Sequence, residues 1–119
     1  YEHFSGILSY LGAEDQIPFE LPEGGLALYT IVPADNRITA IGLTDKYVSA
    51  HAVLSVRQEN NRAIVRLRED GRFAFAADAA PARVLCNGKE IRWVHAGDNL
   101  YAADCSDASG EVVIEIELP

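Results

Sequence analysis

The sequence is poor in several features that mark particular classes of protein. Its 119 residues include no methionine, two cysteines and one tryptophan, and the apolar residues are scattered in short runs. A membrane span needs about 18 uninterrupted apolar residues, so we expect no membrane partner. The chain is also too short for a (β/α)8 barrel, which typically needs about 250 residues. Its length suits one domain of common size.

Basic residues are scarce as well. Ten Lys and Arg stand against 18 Asp and Glu, which gives a formal net charge of −8. This balance would repel a phosphate backbone, so we expect no nucleic-acid partner. Hydrophobic residues nevertheless make up 49% of the chain and charged residues 24%, which is typical of a globular protein with a substantial core.

The missing methionine, with Tyr1 as the first residue, leads us to expect a domain excised from a longer protein. Because the length suits a single domain, we treat residues 1–119 as one β-sandwich domain of that longer protein. The two cysteines, Cys86 and Cys105, are too few for a disulfide framework, and they lack the C-x-x-C spacing of zinc or redox sites. These counts identify neither the compartment nor the oligomeric state.

Alternation of apolar and polar residues with period two runs through the chain, and helical periodicity is almost missing. The clearest case is residues 111–118, where every second residue is aliphatic and the residues between are mostly acidic. This pattern predicts a half-buried strand with an acidic outer face. Strand-like runs follow at about ten-residue spacing, which indicates a sandwich or barrel. We predict an all-β antiparallel sandwich of about eight to ten strands with Greek-key or meander connections.

Three apolar runs in the first half of the chain are further strand candidates. Residues 26–32 are apolar on both faces, which is typical of a central strand, and Pro33 ends the run. Residues 38–43 and 48–56 are rich in β-branched and small residues. Residues 13–25, with two prolines and a Gly-Gly pair, form the one long irregular connection that the pattern predicts.

A Glu-Asp-Gly sequence at 69–71 predicts a three-residue hairpin loop with its glycine in the left-handed conformation. Residues 63–68 and 72–76 would be the two strands, with Val65 opposite Phe75. This register collects the apolar side chains on one face and leaves the arginines on the other.

Asn87-Gly88 is the strongest hairpin signal in the chain, because both residues accept the positive φ of a type I′ turn. A second turn at 97–98 would extend this hairpin into a three-strand meander. That turn would pair His95 with Leu100.

The meander register decides where several side chains point. Trp93 falls on the core face and Tyr101 on the outward face. Cys86 lies on the Trp93 face and Cys105 on the Tyr101 face, so we expect no disulfide between them.

No catalytic motif stands out. The histidines have no chelating spacing with either cysteine, and no serine lies in a Gly-x-Ser-x-Gly elbow. Several aspartates lie in or next to predicted turns, where Asp is common because it hydrogen-bonds locally. These are Asp45, Asp70, Asp98, Asp104 and Asp107. We therefore assign no catalytic residue, no metal site and no cofactor.

Surface aromatic rings are the remaining source of a binding site, because small β-sandwiches often hold sugars by stacking on them. On the predicted register Tyr101 and Arg92 lie together on the outward face, so they are the candidate substrate-binding residues. Trp93 lies on the other face and cannot complete a flat platform with Tyr101.

Four short motifs are spread over nearly the whole chain. YEHFSG stands at 1–6, LYTIVP at 28–33 and ITAIGLTDKYVS at 38–49, and DGRFAF at 70–75 precedes the Cys-Asn-Gly hairpin. Together they resemble the C-terminal domain of family 36 glycoside hydrolases of the raffinose synthase and seed imbibition protein type.

The resemblance implies a β-sandwich that packs beside a catalytic (β/α)8 barrel acting on α-galactosides such as raffinose-type oligosaccharides. The catalytic aspartates of that family lie in the barrel, and no position here matches their motifs. The implied partner is therefore the barrel of the parent chain, with residues 29–31 or 13–25 as the contact surface. One alternative is a carbohydrate-binding module that holds an oligosaccharide on surface aromatics. Another is an independent small enzyme with two acids of perturbed pKa.

Overall fold

Two antiparallel sheets form the protein in a computed structural model that describes residues 1–18, 20–106 and 110–119. Nine strands and one 3-10 turn, Ser49–Ala52, are the regular elements of these residues. The predicted all-β antiparallel sandwich is confirmed. None of the described residues belongs to a helix of sufficient length and apolarity to cross a membrane.

The strands are numbered in chain order. They are β1 Ile38–Leu43, β2 Val53–Glu59, β3 Arg62–Leu67, β4 Arg72–Ala77, β5 Arg83–Cys86, β6 Lys89–Ile91, β7 Trp93–Gly97, β8 Leu100–Asp104 and β9 Val112–Glu117. The four-stranded sheet has the order β1-β4-β8-β7, and the five-stranded sheet has the order β2-β3-β9-β5-β6. Most connections therefore cross from one sheet to the other.

The main core lies between the two sheets. Alternate residues of the inner strands supply it. The alternation predicted for residues 111–118 is confirmed, because Val112, Ile114 and Ile116 of β9 are buried in the core while the residues between them are not. Each large aliphatic or aromatic side chain buried in this way contributes about 1.5–3 kcal/mol. The fully buried members include Val65, Leu67, Phe73, Phe75, Val84, Val112, Ile114 and Ile116.

The outer face of the five-stranded sheet is a ladder of ion pairs. Glu115 and Glu117 on β9 lie beside arginines of both neighbouring strands. Arg62 on β3 contacts both carboxylates, and Arg83 on β5 binds Glu117 at 2.7 Å. Opposite charges across adjacent strands suit a solvated face, although each exposed pair stabilises it by less than about 1 kcal/mol.

The predicted hairpin across residues 69–71 is wrong. β3 pairs with β2 and β9, whereas β4 pairs with β1 and β8, so the residues between them connect the two sheets. The burial predicted for Val65 and Phe75 is confirmed. Inward-facing residues of a hairpin and of two stacked sheets show the same alternation, and so the pattern alone does not separate the two arrangements.

The hairpin predicted at Asn87-Gly88 is confirmed. Asn87 has φ 49° and Gly88 φ 81°, and Val84 pairs with Ile91. The three-strand meander is wrong, because the chain leaves the five-stranded sheet at Arg92 and β7 joins the other sheet beside β8.

The register between β7 and β8 also differs from the prediction, by one residue. Gly97 pairs with Leu100 across a two-residue loop, and an irregularity between His95 and Gly97 sets His95 opposite Tyr101. A shift of one residue turns every side chain of a strand to the other face. Tyr101 therefore points into the main core. Its predicted position on the outward face, away from Trp93, is wrong.

Residues 26–32 do not form the predicted central strand. Within this stretch Tyr29 makes one isolated bridge to Glu2, while Leu26 and Ile31 are 69% and 85% exposed. The segment belongs to an irregular N-terminal layer, described at residues 1–18 and 20–36, that lies on the outer face of the four-stranded sheet. We call this layer the N-terminal overlay.

The other two runs of the first half and the irregular connection are closer to the prediction. Residues 38–43 are confirmed as β1, and the described residues of 13–25 are irregular as expected. Residues 48–56 divide into the 3-10 turn and the first part of β2.

Gly42 allows the 3-10 turn to approach β1 closely. Its φ is +121°, next to an irregularity in the pairing of β1 with β4, and a Cβ atom there would overlap the backbone of Ser49. Any side chain would combine backbone strain with a clash against main-chain atoms.

We expect Gly42→Ala to lower the free energy of unfolding by more than about 2 kcal/mol, because strain of about 1–3 kcal/mol adds to the overlap. Urea unfolding followed by the fluorescence of Trp93 measures the change. Gly12→Ala is the matched control, since its methyl group would meet the Asp15 carboxylate at an ordinary 3.4 Å. Equal losses in the two variants would contradict the assigned role of Gly42.

Candidate functional site

The outer face of the four-stranded sheet is apolar, unlike the outer face of its partner sheet. Ile41, Ala74, Leu100 and Ala102 form a second buried cluster there. The overlay covers this cluster by packing Tyr1, Leu8 and Val32 against it.

An open groove of about 540 Å³ runs between the overlay and the sheet. Aliphatic and tyrosine side chains of the overlay, among them Tyr10 and Ile31, form most of its walls. β1 contributes Thr39 and Ile41. Asp35 is the one charged side chain among the described residues that line it. The groove is therefore apolar with a single carboxylate at its wall.

Large apolar side chains of the overlay are exposed in unusual number. Seven of them are more than half exposed: Phe4, Ile7, Tyr10, Leu11, Leu21, Leu26 and Ile31. Tyr47 and Val48, which follow β1, are more than two-thirds exposed. Concentrations of exposed apolar side chains are typical of surfaces that contact another macromolecule or a ligand.

Three aromatic rings meet at one end of this surface. The ring of His3 lies 5.1 Å from that of Phe4 and 5.3 Å from that of Tyr47, and the Phe4 and Tyr47 rings are 6.3 Å apart. Their planes are inclined to one another by 50–88°, so they offer no flat stacking face. Such a cluster is better suited to insertion into a partner surface than to stacking on a sugar ring.

Glu2 holds the overlay in its fold. It is 9% exposed, and its carboxylate accepts hydrogen bonds from the backbone N–H groups of Ser5 and Leu28, the latter at 3.2 Å. Hydrogen bonds to this carboxylate lower the pKa of Glu2 from 4.5 to about 2. The largest cause is a side-chain hydrogen bond from Ser5, and the backbone donors add to it. One carboxylate thus connects two parts of the overlay that lie more than 20 residues apart.

A second polar contact joins the overlay to the sandwich. The hydroxyl groups of Thr30 and Ser49 are 2.9 Å apart, and Ser49 is 1% exposed on the 3-10 turn. The close approach at Gly42 and this hydroxyl pair therefore both position Ser49 of the same turn.

The charges of the overlay are all of one sign. Residues 1–36 contain six Asp and Glu and no Lys or Arg, whereas residues 37–119 contain twelve acidic and ten basic residues. Most of the net charge of −8 therefore belongs to the overlay.

The predicted sugar-binding pair does not form a surface site. Tyr101 is 6% exposed, and its ring lies 5.8 Å from that of Phe75, 5.1 Å from that of His95 and 5.6 Å from that of Trp93. Arg92 is exposed between β6 and β7. The outward position predicted for Tyr101 is wrong because of the one-residue shift between β7 and β8.

Two of the aspartates that were considered as catalytic acids accept hydrogen bonds from nearby backbone N–H groups. Asp45 accepts a hydrogen bond from the N–H of Arg72 at 3.3 Å, and Asp104 accepts one from the N–H of Ser106 at 3.0 Å. Asp107 lies outside the described residues. Among the residues that are described, no three of His, Cys, Asp and Glu are grouped so that they could hold a metal ion.

The two cysteines lie together, which corrects the prediction of opposite faces. Cys86 ends β5 and Cys105 follows β8, and both belong to the main core as free thiols. Burial, and then a hydrogen bond with the Cys86 thiol, raises the pKa of Cys105.

Comparison with known proteins adds no relative: a scan against protein-family models and a search of curated proteins both find no match to this chain. The candidate site therefore rests on the geometry of the chain. The main features are an apolar groove, exposed apolar side chains around it and acidic charge throughout the overlay.

We expect Glu2→Gln to lower the melting temperature at pH 7. The pKa of Glu2 is lower in the folded chain, so its ionised carboxylate stabilises the fold above about pH 4.5, and this stabilisation disappears as pH falls toward 2. The melting temperatures of the two proteins should converge over that interval in a pH series of thermal melts. Glu20→Gln, at an exposed position of the same layer, is the control and should melt like the unchanged protein. A difference between Glu2→Gln and the unchanged protein that persists at pH 2 would exclude this role of the carboxylate.

Proposed function

We propose that this chain is a non-catalytic accessory domain that packs against a larger catalytic domain through its N-terminal overlay. The observation that carries the proposal is the contrast between the two outer faces of the sandwich. One face is a ladder of ion pairs, while the other presents a groove and seven large apolar side chains that are more than half exposed. Domain interfaces bury apolar surface of this kind.

A partner that covered the overlay would remove its exposed apolar side chains from water. Removing apolar surface from water stabilises a contact by about 25 cal/mol for each Å². Ile31 and Leu26 are among the most exposed aliphatic side chains of the chain, so their burial would add most to a contact. The inclined rings of His3, Phe4 and Tyr47 add aromatic groups, which are common anchors in interfaces.

The partner we propose is the catalytic (β/α)8 barrel of a family 36 α-galactosidase of the raffinose synthase type. The motifs at 1–6 and 28–33, on which part of that resemblance rests, both lie in the overlay. An accessory role agrees with the local hydrogen bonding of the described aspartates Asp45 and Asp104. The reaction on the α-galactoside would then belong to the barrel.

The charge of the overlay also predicts the kind of partner surface that would bind it. With six acidic residues and no Lys or Arg in residues 1–36, the overlay repels a second copy of itself and attracts cationic groups. A complementary surface is apolar at its centre with Lys and Arg at its edge.

The coding sequence before Tyr1 provides the test of the proposed partner. If it encodes a (β/α)8 barrel, that barrel and this chain can be produced separately and titrated together in a calorimeter. We expect association, which Leu26→Ser with Ile31→Ser should weaken at least tenfold, because both side chains are exposed and their loss leaves the core intact. We also expect no hydrolysis of nitrophenyl α-galactoside by this chain alone.

The matched control is Leu54→Ser with Val56→Ser, two exposed aliphatic residues on β2 of the other sheet. This variant should bind the barrel like the unchanged chain. Equal weakening by both double variants would reject the overlay as the contact surface. A preceding sequence without a barrel would reject the proposed partner.

A carbohydrate-binding module is the second candidate function. The observation that favours it is the composition of the groove, where Tyr10 and Tyr29 lie with the hydroxyl of Thr39 and the carboxylate of Asp35. Apolar clefts with a few polar groups of this kind are typical of small-molecule sites.

Calorimetry with raffinose, melibiose and galactose separates the two functions. An accessory domain that only packs against a neighbour should give no binding heat at millimolar sugar. Saturable heat that disappears in Tyr10→Ala would instead support the binding module and place the sugar in the groove. Thermal melts of the variant would establish that it is folded.

A further inference from the structure

The two cysteines of the chain meet at one end of the main core from opposite sheets. Cys86 is the last residue of β5 in the five-stranded sheet, whereas Cys105 directly follows β8 of the four-stranded sheet. Both cysteines line the same recess and belong to the same buried cluster of the main core. They are 19 positions apart along the chain and belong to separate hydrogen-bonded sheets.

Backbone hydrogen bonds hold both cysteines where they are. Cys86 pairs with Ile114 on β9 and with Lys89 on β6, while the N–H of Cys105 donates to the carbonyl oxygen of Gly71 at 3.0 Å. The approach of the thiols is therefore a consequence of the strand pairing on each side. A disulfide needs two cysteines that meet at close range, and these two share one recess and one buried cluster.

A recess gives a reagent access to the pair. It has a volume of about 730 Å³, and both cysteines line it together with polar residues such as Lys89 and Asp104. Cys86 is 9% exposed and Cys105 is 4% exposed, so Cys86 is the more accessible of the two residues. The pKa of the Cys105 thiol is raised, chiefly by burial, which makes Cys105 the poorer initial nucleophile.

We propose that Cys86 and Cys105 form an oxidative modification site, at which a small-molecule disulfide such as glutathione disulfide converts the two thiols into a bridge between the sheets. The deprotonated sulfur of Cys86 attacks one sulfur of the oxidant, which forms a mixed disulfide and releases one glutathione thiolate. The sulfur of Cys105, after losing its proton, attacks the Cys86 sulfur of the mixed disulfide and releases the second glutathione. The protein loses two protons and two electrons, and the oxidant is reduced to two thiols.

The bridge would stabilise the fold by restricting the unfolded chain. It closes a loop from residue 86 to residue 105, and a loop of this length has a substantial entropic effect on the unfolded ensemble. It would also connect two sheets that are otherwise associated through side-chain packing in the main core. This inference is independent of the partner proposed for the overlay.

The experiment uses the full chain under native conditions with glutathione disulfide as the oxidant. We expect intact-mass measurement to find a species lighter by two hydrogens, with loss of both reactive thiols and no change in the monomer peak on size exclusion. The oxidised protein should melt about 5 °C or more above the reduced protein. Reduction with dithiothreitol should restore the original mass and melting temperature.

Two variants make the test specific. In Cys105→Ser the remaining thiol has no partner, so the reaction should stop at a mixed disulfide heavier by one glutathione, and Cys86→Ser should react more slowly still. The proposal is overturned if the native chain keeps both thiols, or accumulates only mixed disulfide, under conditions that bridge the urea-unfolded chain. A bridged protein that melts below the reduced one would also overturn the proposed stabilisation.

Discussion

Burial of β4 and β8 on both faces is the constraint on which the rest of the structure depends. Phe75 and Tyr101 point from these strands into the main core, while Ala74 and Leu100 point to the outer side. A sheet with apolar side chains on both faces needs a cover on each, because exposed apolar surface opposes folding. The five-stranded sheet covers one face. The overlay covers the other, although it has almost no regular structure, and Glu2 supplies much of the hydrogen bonding that gives it shape.

Local signals predicted two strands and one hairpin turn correctly. The alternation of β9, the range of β1 and the type I′ turn at Asn87 all agree with the structure. The strand predicted at residues 26–32 was wrong for a physical reason. A segment that lies across an apolar sheet is itself apolar, and so its composition resembles that of a central strand. The hairpin predicted between β3 and β4 was wrong for a similar reason, since the same turn motif can connect two strands of a hairpin or two strands of different sheets.

Only part of the candidate site could be predicted from the sequence. Residues 29–31 were a predicted contact surface, and Ile31 is indeed among the most exposed aliphatic residues, but whether a partner covers it remains a proposal. The burial of Tyr101 accompanies an irregularity near His95, and the meeting of Cys86 with Cys105 follows from the crossing of the chain between the sheets at Arg92. No pattern of apolar residues revealed either feature. The acidic character of the overlay, by contrast, could have been found by counting charges in residues 1–36 alone.

The way in which the overlay is attached gives the chain two levels of cooperativity. Between residues 8 and 27 the described backbone hydrogen bonds close short turns, such as Gly25 to Pro22, whereas the strands are joined by ladders that cross the whole sandwich. Regions with few long-range hydrogen bonds open locally, at a free energy below that of global unfolding. This part of the overlay can therefore loosen while the two sheets and the ends of the overlay held by Glu2 and Thr30 stay folded, and a surface that rests against it would favour its packed form. Docking and local folding would then be a single equilibrium at this face of the protein.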